Sequence, residues 1–239
     1  MQAPKRRVEK HDDTADRRRL LPLVAFAALG VVALAAVVAL LALTGKSNKS
    51  TGKGIQKDPA IASTMGAAGC SYLDTPAPKP PKGQQQHIAT LADKVDWNTF
   101  PPAGGQHYGF WAVWGFYTDP VNPKQVVHNE EHGGVVLWWG PKVPKSEVEQ
   151  LRSFYNSSPN SMFGTPLRTL NGRNLGSKIA VSAWTGDPRT YQVSNWGYEH
   201  LAVCPRFDRH AFTVFRNAYR GHGPEGIPTS LNNPGQGPG

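Results

Sequence analysis

The sequence predicts an α+β fold: a small single extracytoplasmic domain with short strands and two helices, preceded by one transmembrane helix. Three observations lead there. Residues 20 to 43 read LLPLVAFAALGVVALAAVVALLAL, 24 residues without a charge. Downstream, short apolar runs between glycines and prolines have the pattern of strands. Two amphipathic stretches have the pattern of helices, and they do not alternate with strands in the βαβ rhythm of a parallel sheet.

The apolar run is long enough to span a membrane, since about 1.5 Å per residue covers a hydrocarbon core of roughly 30 Å. It exceeds the apolar core of a cleaved signal peptide, about 7 to 15 residues, and its exit at Ala42-Leu43-Thr44 has no small-x-small site. Arg17, Arg18 and Arg19 abut its start and keep the N-terminus on the cytoplasmic side. Residues 1–19 are then a basic cytoplasmic tail, with seven Lys/Arg against four Asp/Glu. Residues 44–85, first Gly/Ser/Lys-rich and then TPAPKPPKG, read as a flexible spacer. The globular domain is expected over 86–222, and the low-complexity residues 223–239 as a disordered tail.

Outside the membrane, the two cysteines, Cys70 and Cys204, are in a compartment that lets them pair. The net charge of +9 favours anionic partners such as lipid headgroups or an acidic cell-envelope polymer, and a membrane-protein partner is a further expectation. No nucleic-acid-binding module accompanies the charge, so no nucleic-acid partner is expected.

Within the domain, YGFWAVWGFY (108–117) carries six aromatic residues in ten and is extended or turning. Such density most often fills a core, although exposed Trp111 and Trp114 could instead stack on sugars or sit in a membrane interface. VVLWW (135–139) reads as a short buried strand. Ser146-x-x-Glu149 is a capping box opening a helix to about Tyr155, with Val148, Leu151 and Phe154 on its apolar face. KIAVSAWT (178–185) alternates as a strand, and 192–203 holds another. Asp208 caps a second helix, with Phe212, Phe215 and Tyr219 on one face and Gly221 at its stop.

The segment VHNEEHGG (127–134) carries the chemistry. His128, Glu131 and His132 form H-x-x-E-H, an inverted zinc-protease motif that requires a helix. The glycine pair and the strand behind it argue for an extended segment instead, where residues 128, 130 and 132 share one face. A metal site built this way takes a third ligand from elsewhere, and His107 in GGQHYG is the leading choice; His200 and His222 rank second. His107, His128 and His132 with an open position suit zinc or copper. The same residues also suit a structural role, with the histidines bonding a turn and Glu130 and Glu131 solvated.

The order of GQHYGFWAVWGFY, VVHNEEHGGVVLWW, IAVSAWT and AFTVFRNAYRGHGPE resembles the bacterial family catalogued as domain of unknown function 3105. His107, Trp114, Gly115, Tyr117, His128, Glu131, His132, Gly133, Trp184 and Glu225 match its pattern, while Gln106 stands for a usual proline and Glu130 for a usual leucine. The resemblance implies an anchor, a spacer and an outside domain, and it carries no assigned activity. Two functional readings follow. One is a transition-metal site at His107, His128 and His132, with Glu131 orienting a ligand or acting on bound water. The other is a metal-free interaction module for a wall polymer or membrane partner.

Overall fold

A computed structural model of the chain describes residues 58–186 and 196–238. The expected cytoplasmic tail, the transmembrane helix at 20–43 and the first part of the spacer lie outside these residues. Among the described residues, no helix is long and apolar enough to cross a membrane. The described residues lie in the compact unit Gly54–Gly239.

Among the described residues, four α-helices accompany a mixed five-stranded sheet, which is an α+β architecture. Helix α1 (Pro59–Ala67) leads into β1 (Ser71–Pro76). The short strands β2 (His87–Ile88) and β3 (His107–Tyr108) follow, then α2 (Pro123–Glu131) and β4 (Val135–Trp139). Helix α3 (Lys145–Asn156), β5 (Met162–Pro166), β6 (Ile179–Thr185), β7 (Tyr198–Cys204) and α4 (Arg209–Tyr219) complete the order. The main sheet runs β1-β7-β6-β4-β5, antiparallel except for the parallel β4–β5 pair. A separate parallel ribbon pairs β2 with β3.

Side chains alternate across a strand, and both faces of this sheet are covered. Val135, Leu137 and Trp139 of β4 join Ile179, Val181 and Ala183 of β6 in a core with α1, α3 and α4, through Met65, Leu151, Phe154, Phe212 and Phe215. On the other face, Val136, Trp138 and Ala180 meet Val126 of α2 and Trp114 and Phe163. Every residue of β4 and β6 is therefore buried. The strand expected at 178–185 forms, and it has no solvated face because α2 and the aromatic loop fill the second side.

The helix at 209–219 is capped as expected, with Asp208 Oδ1 accepting from the Ala211 N–H at 2.9 Å. The expected capping box at Ser146 is not used. Pro144 occupies the cap position and Glu147 Oε1 instead accepts from the Phe207 N–H at 2.6 Å, joining the start of α3 to the β7–α4 turn.

Two boundaries need correction. Residues 58–85 are not all spacer. Asp58 caps α1, accepting from the Ala60 N–H at 2.9 Å, and Ile61 and Met65, four apart, bury against the core. Strand β1 then forms the edge of the sheet, and the Cys70–Cys204 disulfide, S–S 2.04 Å, ties its start to the end of β7. Residues 223–238 are not a disordered tail either. Asn232 is buried, donating to the His132 carbonyl and to Ser161 Oγ, both at 2.9 Å. The backbone near 235 pairs with Trp114, through the Gly235 N–H to its carbonyl and the Trp114 N–H to the Gln236 carbonyl, both at 2.8 Å. Glycine and proline content suggested disorder, yet here those residues supply turns.

Candidate metal centre

The site is built at the C-terminal end of α2. Asn122 caps this helix, its Oδ1 accepting from the Lys124 N–H at 3.1 Å, with Pro123 at the first helical position. Gly133, at φ +86°, takes the left-handed conformation that ends it. The segment expected to be extended is therefore the last turn of a helix. The glycine pair stops the helix after the histidines instead of preventing it. His128, Glu131 and His132 lie on one face, at the i, i+3, i+4 spacing. Glu130, expected beside them, points the other way, accepting from Ser182 Oγ inside the protein.

Strands β2 and β3 bring the remaining groups. His87 and His107 are partners across the parallel ribbon, so their rings stand side by side with centroids 4.7 Å apart. Both rings meet His128, at 5.0 and 4.8 Å. At the centre is Glu131: its Oε2 lies 2.9 Å from His107 Nε2, 3.3 Å from His87 Nε2 and 3.8 Å from His128 Nε2. Its Oε1 accepts from Gln86 Nε2. Four ligands on a tetrahedral ion at about 2.0–2.1 Å are separated by roughly 3.3 Å, and the three separations bracket that spacing. His87, His107, His128 and Glu131 thus form a group able to hold one ion.

The outer hydrogen bonds orient the nitrogens. His107 Nδ1 lies 2.7 Å from the Gly105 carbonyl and His128 Nδ1 lies 2.8 Å from the Tyr108 carbonyl. A carbonyl only accepts, so each Nδ1 carries the proton. In a neutral ring Nε2 is then a bare lone pair, and both such lone pairs face a carboxylate oxygen. Lone pair against carboxylate is repulsive, and the contact becomes attractive where a second ring proton is donated to Glu131 or where a metal ion lies between the two atoms.

Burial, then the neighbouring His107, pulls the His128 pKa down to about 4, so that ring is neutral at pH 7. For Glu131, burial alone would raise the pKa, but hydrogen bonds from His107 and His87 outweigh it and hold the carboxylate at about 2. The hydrogen bond to Glu131 raises His87 above its ordinary value. Its side chain is 43 % exposed. A shallow groove of about 410 Å³, lined by Gln84, Gln85, His87, Asp93, Lys94 and Gln106, leads to that open edge.

His132, expected in the same ligand set as His107 and His128, faces elsewhere. It caps α2, and its Nε2 lies 3.0 Å from Glu225 Oε2, which this hydrogen bond holds below its ordinary value. The tail is brought there by backbone pairing: the Gly221 N–H donates to the Gly133 carbonyl at 2.8 Å, and the Glu225 N–H to the Glu131 carbonyl at 3.3 Å. Glycine is required at 223, where a Cβ would stand 2.2 Å from the Gly133 nitrogen. His128, His132 and Glu225 form a second group with ligand atoms within 4.8 Å of one another.

His200 is not at the site. It is buried between Asp74 (Nδ1 to Oδ1, 2.6 Å) and Thr185 (Nε2 to Oγ1, 2.8 Å) and stacks on Tyr219 at 3.8 Å, which makes it a structural link between β1, β6, β7 and α4. His222 is exposed and its backbone carbonyl accepts from the Gly186 N–H. Of the aromatic loop, Trp114 is 2 % exposed and unable to stack on a polymer. Trp111 lies over His132 and His128, at 4.7 and 5.5 Å. Sequence reasoning missed His87, which carried no signal beyond its residue type, and expected Glu131 to orient a ligand or act on bound water.

Fold and site together define a small α+β domain with a buried histidine–carboxylate centre. The family model described as protein of unknown function, DUF3105, matches residues 88–230, and the chain belongs to that family. No curated protein and no solved structure matches the chain.

Proposed function

We propose that this is a transition-metal-binding domain in which His87, His107 and His128 ligate through Nε2 and Glu131 through Oε2. The carrying observation is that three imidazole nitrogens converge on one carboxylate oxygen, with the Nδ1 protons of two rings held by backbone carbonyls. Imidazole and carboxylate together suit zinc or copper, and Gln86, Gly105 and Tyr108 supply the outer contacts that hold such ligands in place. Glu131 serves here as a direct ligand. The proposal extends to placement: the apolar run at 20–43 anchors the chain by one span, with its N-terminus cytoplasmic and this domain outside the membrane.

The test is equilibrium binding of zinc and of copper(II) to the full-length chain purified without a histidine tag. Tight binding that His107→Ala and His128→Ala abolish is the expected outcome. Tight binding that both variants retain would place the metal elsewhere.

A second reading rests on a different face. Arg209 and Arg216 of α4, with Arg220 at its C-terminal cap, hydrogen-bond Ser153, Ser157 and Ser158, and among the described residues no carboxylate lies within ion-pair reach of them. This row favours an anionic cell-envelope polymer or an anionic membrane partner. Binding of that kind weakens with salt and ignores chelators.

A further inference from the structure

We infer that a second, weaker divalent-cation position lies beside the first, made by His132 Nε2 and the Glu225 carboxylate. The inference rests on the metal reading above. His128 offers one ligand atom, because its Nδ1 is committed to the Tyr108 carbonyl. That Nε2 lies 3.8 Å from Glu131 Oε2, and His128 also belongs to the group with His132 and Glu225 whose ligand atoms lie within 4.8 Å of one another. It therefore stands between two groups while serving one. With His128 assigned to the ion at Glu131, His132 and Glu225 remain as a hydrogen-bonded pair 3.0 Å apart, a little inside the roughly 3.3 Å between neighbouring ligands on one ion.

The arrangement has the features of a two-ion centre. Ions in such centres are about 3.5–4 Å apart and share a bridging solvent oxygen, and the two groups here adjoin through a single imidazole. Each position brings its own carboxylate, Glu131 for one and Glu225 for the other, which offsets the repulsion between two divalent charges. Glu225 is held by a backbone clamp that requires glycine at 223, so the pair is positioned by the fold. With two protein ligands instead of four, the second position keeps solvent ligands and binds less tightly.

The experiment is copper(II) titration of the full-length, tag-free chain, followed by electron paramagnetic resonance and by tryptophan fluorescence, to which Trp111 contributes with its ring 4.7 Å from His132. Two equivalents are expected, the second weaker by at least tenfold and producing a dipole-coupled spectrum. In Glu225→Gln and His132→Gln the second equivalent and the coupling disappear while the first remains, with near-ultraviolet circular dichroism unchanged. A single equivalent in the parent chain, insensitive to both variants, would overturn the second position and leave the first intact. Loss of the tight equivalent in Glu225→Gln would also overturn it, because His128 would then belong with Glu225. Failure to bind any copper or zinc would instead remove the metal reading itself.

Discussion

Glu130 and Glu131, adjacent in the chain and both buried, point to opposite sides of α2 and carry opposite protonation tendencies. Glu131 faces three histidines and is held ionised near pKa 2. Glu130 enters the sheet core against Ser182, which itself accepts from Trp138 Nε1 at 2.7 Å, and burial pushes its carboxyl well up. One helical residue of rotation, about 100°, separates the carboxylate among the histidines from the carboxyl buried in the core.

That contrast predicts opposite outcomes for the same chemical change. Glu130→Gln replaces a neutral acid by a neutral amide, so stability changes by less than about 1 kcal/mol and metal affinity is kept. Glu131→Gln removes the central charge, and metal affinity falls by more than the roughly 10- to 100-fold typical of an outer contact. Paired zinc titrations and thermal melts read both, and equal losses in the two variants would refute the assignment of roles.

Gln86 holds the non-ligating oxygen of Glu131. Gln86→Ala is expected to weaken zinc by about 10- to 100-fold without changing stoichiometry. A competition assay against a chromogenic chelator decides it. Unchanged affinity would mean that Glu131 needs no such support.

The metal-free protein should be acid-sensitive. His128 has a folded-state pKa of about 4 against an ordinary 6.5, so it binds fewer protons folded than unfolded between those values. Its contribution is complete above pH 6.5 and is lost as pH falls toward 4, on the order of 3 kcal/mol at about 1.4 kcal/mol per unit. Glu131, depressed to about 2, adds a loss of the same sign below pH 4.5. His87, raised and half-exposed, works the other way, its contribution fading as pH rises above 6.5. Urea melts of chelated protein at pH 7 and pH 4.5 should show the drop, and His128→Gln should flatten it.

The disulfide closes a segment of 134 residues. Chain entropy alone assigns it about 5 kcal/mol. It ties β1 to β7, on the far side of the sheet order from β4 and β5, and touches no ligand. Replacing both cysteines by alanine should lower the melting temperature while leaving the number of bound metal ions unchanged. A parallel loss of metal would show that the β1 edge supports the site.

Much of the fold was legible. VVLWW and IAVSAWT announced strands through β-branched and aromatic density, and Asp208 with the Phe212, Phe215 and Tyr219 stripe announced α4. The class α+β followed from the missing βαβ rhythm. What failed was the reading of punctuation. Asn122-Pro123 and Asp58-Pro59 are helix-start signals that went unused, so α2 and α1 were missed. Gly133-Gly134 was then taken to forbid a helix that it in fact ends.

Because period two was assumed where period 3.6 holds, Glu130 was aligned with the histidines and Glu131 was expected to orient a ligand or act on bound water. His87 could not have been found this way: its place beside His107 is set by a two-residue parallel ribbon between segments that sequence patterning treats as loop. Glu225 matched the family pattern but lay in a segment read as disordered.

The most direct test of the central claim is elemental analysis of the full-length chain, purified without a histidine tag, loaded with excess zinc and desalted. The account predicts one tightly held equivalent that survives desalting in the parent chain and is absent in His107→Ala and in His128→Ala. A parent chain that retains no zinc, and takes up no copper either, would contradict it, and the histidines around Glu131 would then be a buried hydrogen-bond cluster.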